Sequence, residues 1–357
     1  MTRHRSLPLA IDTSTDDAMR LDPSTYRRHS LHAEGRDWVE RNCAIDSWIE
    51  VLHAQDLDPM AMLPCTLAVD YQGDQWTFYK PSPSELWELY GMDVQELTVW
   101  QPLLDHVAFH VGAGRLIGTE TDAFFLPDVR GTDYREHHTK TNIVIHAIDV
   151  KRRHLGYFHN AGSYELEGDD FDGVFRTGAA VDPNTLPLFA ELIRTDRRKA
   201  LSPESLRAIS ARLLACHMSR RPEQNPVAAF ARSMDAEIER AQRNGLDWYH
   251  AYAFANIRQL GSAYELAALY LRWLQPPDGQ ALAGAADAFS NISATAKALI
   301  LKGARAVHAR RPLDAAPMLD RAACEWEWAM HEIDQTMAMA QVLAMAQVPA
   351  RAARAGA

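Results

Sequence analysis

NIVIHAIDVKRRHLGYFHN, residues 142–160, is the stretch whose reading decides the fold. Ile143, Ile145 and Ala147 alternate with Val144 and His146, which is the two-residue period of a strand. Lys151-Arg152-Arg153 interrupts the apolar run, and His154 to His159 resumes it with Tyr157 and Phe158, residue types at home on a pleated surface. The pattern predicts a two-stranded antiparallel hairpin seated in a core sheet.

Working outward, Cys65 to Asp70 and Gln75 to Tyr79 read as short strands around a Gln72-Gly73-Asp74 turn. Ser84 to Tyr90 and Trp100 to Val111 read as helices, and Ala123 to Leu126 as a strand ended by Pro127. Gly168-Asp169-Asp170-Phe171 opens a short helix with acidic capping and closes an α+β unit. Beyond about residue 183 the texture is helical throughout: Leu186 to Ile193, Pro203 to Ser219, Val227 to Asn244, Trp248 to Leu274, Leu282 to His308 and Ala315 to Val348. Breakers separate them at Ser202-Pro203, Arg221-Pro222, Asn244-Gly245, Pro276-Pro277 and Arg311-Pro312. The expected fold class is α+β, a helix plus antiparallel sheet domain followed by an all-α helical bundle. The expected boundaries are a poorly ordered N-terminal arm over 1–35, the α+β domain over 36–178 and the bundle over 183–357.

Charge narrows the partners. With 47 acidic against 37 basic residues the net charge is -10, which argues against general nucleic-acid affinity and towards small molecules or proteins. Cys43, Cys65, Cys216 and Cys324 show no CxxC and no metal-ligand spacing, so a reducing cytoplasm is the simplest location. The N-terminal apolar run Leu7 to Ile11 is too short for a signal peptide, and no stretch approaches the roughly 18 apolar residues of a membrane span.

Cys43 begins the segment CAIDSWIEVLH, in which Ile45, Trp48, Ile49 and Leu52 fall on one helical face, with Asp46, Ser47, Glu50 and His53 elsewhere. The free N–H groups at a helix start stabilise a thiolate, so Cys43 stands where a nucleophilic sulfur is best placed. Such a nucleophile needs an imidazole and a third group to orient it. His137 and His138 lie in the loop before the long strand, and His159-Asn160 ends its partner. Cysteine at a helix start, histidine before a strand and Asn at the end of the next strand is the papain-like order, with Cys43 as nucleophile, His138 as acid and base, and Asn160 as orienter.

The segment from about Asp37 to Phe175 resembles the papain-like N-terminal domain of the butirosin-biosynthesis acyltransferase. The likeness runs through Cys43, TDAFFLP (121–127), YREHHTKTNIVIHAID (134–149) and YFHN (157–160). The whole chain also resembles an uncharacterised bacterial family typified by NCAIDSWIEVLHA, GDQWTFYKP and RGTDYREHHTKTNI, associated with carrier proteins and amino-acid:carrier-protein ligases. The resemblance implies an acyl or aminoacyl transferase with no bound cofactor. The acyl group would pass from the phosphopantetheine thioester of a partner carrier protein, through an acyl-cysteine, to a small-molecule or protein acceptor. A cysteine hydrolase or peptidase with the same residues, and a non-catalytic carrier-protein-binding module, are the alternatives. In the acyltransferase pattern the histidine opens the strand, where this chain has Thr141.

Secondary candidates surround this set. Asn42 is either an oxyanion donor or the helix N-cap, and Gln75 and Trp76 either line an acyl pocket or pack a strand. Thr141 and His159 complete the pocket candidates, and Asp128, Arg130 and Asp133 offer charges for a substrate amine or carboxylate. His106 and His110 are four apart but lack an HExxH pattern, so no metal is expected. Trp326, Trp328, Met330, Met337 and Met339 read as core filling, and Arg197-Arg198-Lys199 and Arg220-Arg221 as docking charges for an acidic carrier or as solvated helix ends.

Overall fold

The computed structural model describes residues 21–177, 186–275 and 279–355, so the predicted breaker Pro276-Pro277 and the first part of the N-terminal arm lie outside the described residues. In chain order the first elements are α1 (Cys43–His53), α2 (Pro83–Tyr90), β1 (Asp93–Glu96), α3 (Leu103–Gly112) and β2 (Leu116–Asp122). β3 (Lys140–Asp149), β4 (His154–His159), β5 (Gly162–Glu167), α4 (Asp169–Phe175) and β6 (Ala190–Arg194) follow. The rest is helical: α5 (Pro203–Met218), α6 (Pro226–Asn244), α7 (Leu246–Tyr252), α8 (Arg258–Leu274), α9 (Ala283–Ala309) and α10 (Ala316–Ala355).

These elements form two compact units that interleave along the sequence. The first holds the described residues up to Ser30 together with Asp46–Leu57 and Leu86–Lys199; the second holds Leu31–Ile45, Asp58–Glu85 and the chain from Ala200 onward.

In the first unit the strands make one antiparallel sheet in the order β1-β6-β2-β3-β4-β5. The hairpin of residues 142–160 is its centre, with Val144 opposite Phe158 and Ile145 opposite Tyr157. The register slips between Ile145 and Ala147, which makes His146 the extra residue of a bulge. Gly156 leaves room for that ring: a Cβ there would stand 2.8 Å from His146 Cε1.

Strand alternation then sorts every side chain to one of two faces. Ile117, Ile143, Ile145, Leu155 and Tyr157 share one face and close a core with Val107 and Val111 of α3 and Phe171, Val174 and Phe175 of α4. Thr121, Thr141 and His159 lie on this same face by register, since Thr121 is opposite Thr141 and His159 is two residues beyond Tyr157. Glu120, Asp122, Asn142, Val144 and Phe158 point the other way. The Phe158 ring meets Tyr26 at 6.1 Å between centroids, and the Tyr26 hydroxyl donates to Glu50 of α1 at 2.5 Å, which places α1 on this second face.

Four sequence expectations need correction. Leu186 to Ile193 does not form a helix; Ala190–Arg194 is β6, hydrogen-bonded to β1 on one side and β2 on the other. Cys65 to Asp70 is not a strand, because Pro59–Ala68 is a 3₁₀ segment capped by Asp58, whose carboxylate accepts from Met60 N–H. Only the bridge between Tyr71 and Trp76 survives of the predicted hairpin around Gly73. Ala123–Phe125 is likewise a 3₁₀ turn, started when Asp122 Oδ1 takes the Phe124 N–H at 3.0 Å. Finally, α1 is buried beyond its apolar stripe: Asp46, Ser47 and Glu50 are covered too. The N-terminal segment covers it, since Tyr26 and the His29 N–H both bond Glu50, and burial first, then Glu50, drives the Tyr26 phenol pKa well up. Within its described part the expected arm is thus a strap fixed by hydrogen bonds.

In the second unit, helices start where the sequence caps them. Ser202 accepts from Ser205 N–H and Asn225 from the N–H groups of Val227 and Ala228, each cap followed by proline. α8 packs on α9, and α9 and α6 both pack on α10. Residues from 31–45 and 58–85 complete this unit. Trp38 Nε1 donates to Ser293 Oγ at 2.8 Å, Arg41 pairs with Glu265 at 2.9 Å, Tyr79 and Ser262 share a 2.8 Å bond, and Ser210 donates to the Ala61 carbonyl. Among the described residues no helix is long and apolar enough to cross a membrane.

Candidate functional site

Cys43 is a free, half-buried thiol and the first residue of α1. Asn42 is the cap of that helix: its side-chain oxygen accepts from Ala44 and Ile45 N–H at 3.1 and 2.9 Å, and its amide donates to the Tyr79 carbonyl. The side chain is therefore spent on capping rather than on an oxyanion, and Cys43 is left at a helix start held firmly in place.

Among the described residues of the sheet unit two imidazoles set Nδ1 against a carboxylate, one on each face, while His154 lies 3.4 Å from Glu165 through Nε2 on the β4–β5 hairpin. His138 lies two residues before β3, and its Nδ1 meets Asp122 Oδ2 at 2.6 Å. Its ring stacks on Phe124 at 4.4 Å with an interplanar angle of 13° and is 70% exposed, so Nε2 is open to solvent. A carboxylate on one ring nitrogen and an open second nitrogen is the arrangement of an acid–base imidazole with its orienter. Asp122 closes β2 on the face that carries α1. Linear spacing did not reveal this partner, 16 residues away; the β2–β3 register, which sets Asp122 opposite Lys140, is the signal that brings it beside His138.

The second pair is sealed. His159 is 1% exposed, with Nδ1 at 2.6 Å from Asp128 Oδ2 and Nε2 at 2.9 Å from Thr141 Oγ1. Tyr157 donates its hydroxyl to the other Asp128 oxygen at 2.6 Å; burial, then the Asp128 charge, raises that phenol's pKa strongly. All four groups sit on the face towards α3 and α4. Thr141 therefore faces away from α1. This buried set pins the Pro127–Val129 turn, and with it the start of the loop that carries His138, onto β4.

The remaining candidates separate from these pairs. Asn160 turns β4 into β5 at φ 43°, a left-handed conformation that Asn tolerates. His137 is exposed, and its N–H donates to the Asp133 carbonyl. Trp76 packs against the Tyr71 and Phe230 rings, which also meet each other, in the second unit, while Gln75 is exposed in the turn beside it. Asp133 accepts from Thr139, and Arg130 lies over the Tyr134 ring at 5.4 Å. His110 is held below the ordinary histidine range by burial, then by Arg115, whose guanidinium is 3.2 Å from its Nδ1. Among the described residues no group of three His, Cys, Asp or Glu side chains is placed to hold a metal.

The basic patches are largely engaged internally. Arg198 bonds the Gln55 side chain, Lys199 the Trp87 carbonyl and ring, Arg220 the His217 imidazole, and Arg221 makes a two-pronged pair with Asp334. Of the aromatic and methionine set in α10, Trp326 and Met330 fill the core, whereas Trp328 and Met339 are exposed.

The fold is that of an α+β protein: one unit with a six-stranded antiparallel sheet that carries an open imidazole–carboxylate pair, and one helical unit. Residues 27–195 match the DUF1839 N-terminal domain and residues 203–335 the DUF1839 C-terminal domain, and the chain belongs to this two-domain family. No curated protein matches it.

Proposed function

We propose that this protein is a cysteine-dependent acyl or aminoacyl transferase, with Cys43 as the acyl-carrying thiol and His138, oriented by Asp122, as the acid–base group. The carrying observation is the His138–Asp122 pair, whose Nδ1 is fixed at 2.6 Å while the rest of the ring is open. In this reading the Cys43 sulfur attacks the thioester carbonyl of an acylated carrier protein, and the phosphopantetheine thiol leaves with the proton. An acceptor amine or hydroxyl then attacks the acyl-cysteine and gives its proton to His138 Nε2; the acyl C–S bond breaks, and the released Cys43 sulfur takes that proton back from the imidazolium. A cysteine helix ahead of an antiparallel sheet supports the papain-like likeness, and so does the Cys, His order. Asp122 takes the orienting role that Asn160 has in the resemblance, because Asn160 lies in the β4–β5 turn.

Intact mass spectrometry with an aminoacylated carrier protein tests this. The wild type is expected to gain the acyl mass and Cys43→Ala to gain none, with His138→Ala and Asp122→Asn slowing transfer to an added amine at least tenfold. Release of the acyl group to water despite added amine would assign a hydrolase instead. Carrier binding without any adduct would make the chain a binding module and end the catalytic reading.

A further inference from the structure

A cleft of about 440 Å³ opens in the helical unit between the C-terminal end of α5, the turn that follows it, and α10. Its size is that of a small-molecule site. Met218, Trp326 and Met330 line it and are each at least nine-tenths buried, giving an apolar floor. Its charges are unbalanced. Arg221, the guanidinium in the lining, is already committed: both its terminal nitrogens bond Asp334, at 3.0 and 2.6 Å, so the two charges cancel. Glu327 has only the Asn225 amide on one oxygen at 3.1 Å, and Glu223 stands exposed on the opposite rim. The cleft therefore sets two carboxylates, with no ion-pair partner among the described residues, over a floor of one indole and two thioether side chains; the His331 imidazole in its lining is tied to Gln335 at 2.8 Å, and its guanidinium fork is closed to an incoming anion.

We infer that this cleft binds a small organic amine, its ammonium held between Glu223 and Glu327 and its aliphatic body laid on Trp326 and the two methionines. Charge-assisted hydrogen bonds to the two carboxylates hold the ammonium, and the buried floor beneath gives an apolar surface for the chain. A carboxylate or phosphate ligand would meet Glu223 and Glu327 and find Arg221 occupied. The inference is independent of the Cys43 chemistry and stands or falls without it.

Isothermal titration calorimetry of the full chain with 1,5-diaminopentane, against pentanoate and 1-pentanol, tests it. Saturable binding of the diamine is expected, with no binding of pentanoate and at least tenfold weaker binding of the alcohol. The double variant Glu223→Gln/Glu327→Gln, both at exposed positions and so expected to keep the wild-type melting temperature, should lose at least tenfold in diamine affinity. Trp326→Leu should weaken binding while keeping the preference for the amine. No diamine binding up to 10 mM, pentanoate binding as tightly, or a double variant that binds as well as the wild type would each overturn the assignment.

Discussion

His138 and His159 have the same chemistry around Nδ1 and opposite exposure, and energetics separate them. Breaking a buried charged pair from one side strands the other partner, at a cost of about 3 kcal/mol or more, while an exposed pair contributes a few tenths. Asp128 accepts from both His159 and Tyr157 where water does not reach, so Asp128→Asn should lower unfolding stability by about 3 kcal/mol in urea melts. His138→Ala should stay within about 0.5 kcal/mol of wild type. Equal costs would mean that burial does not distinguish the pairs. Glu85 adds a pH test. Burial pushes its carboxyl upward, but the His217 bond at 2.5 Å and the Ser82 N–H at 2.7 Å outweigh it and hold it below its ordinary value. A depressed carboxyl contributes stability that is present above the unfolded-state pKa and lost as pH falls through the folded one. Wild type should therefore lose stability below about pH 4.5 more steeply than Glu85→Gln. Parallel curves across that range would refute the linkage.

At the scale of elements, the bulge in β3 makes the sharpest demand. A Cβ on Gly156 would press on His146 Cε1 at 2.8 Å and on the Ala147 Cβ at 3.0 Å, so Gly156→Ala should cost about 1–3 kcal/mol. Combined with His146→Ala the cost should fall at least about 1 kcal/mol short of the sum, since the clash is with that ring. Additive losses would show that Gly156 serves the backbone alone. The same hairpin explains what the sequence made legible. β3 and β4 are long enough for alternation to declare itself, and α5, α6 and α9 carry caps or breakers, so all were readable. β6 was not, because five residues centred on Leu192 and Ile193 fit a helical stripe as well as a strand, and only pairing with β1 and β2 decides between them. The 3₁₀ turns at Pro59 and Ala123 were hidden for a related reason: an aspartate cap, not a hydrophobic period, sets them. Of the candidate site, the places of Cys43 at the start of α1 and of His138 ahead of β3 were legible in the sequence; Asp122 was not, because it reaches His138 through strand register.

Over the whole molecule, the order of segments along the chain differs from their grouping in space. The helical unit takes in residues 31–45 and 58–85, far upstream of its own helices. Trp38 seats against Gly261 of α8, where a Cβ would stand 2.3 Å from its ring, and donates to Ser293 of α9, while Lys297 caps the ring face at 4.8 Å. An indole burying on the order of 200 Å² at about 25 cal/mol per Å² is worth about 5 kcal/mol, comparable with the net stability of an ordinary domain. Arg41 supplies the partner of Glu265, and Tyr79 that of Ser262. A fragment starting at Ala200 therefore keeps every helix from α5 to α10 but loses the side chains that lock α8 to its surroundings. It should retain helical far-UV circular dichroism yet show a weak near-UV signal and no cooperative thermal transition, the signature of packing lost while backbone order persists. Trp38→Ala in the full chain should move the same way by a smaller step, lowering the melting temperature without abolishing cooperativity. A fragment that melts as sharply as the full chain would show that the upstream segments decorate a bundle already complete.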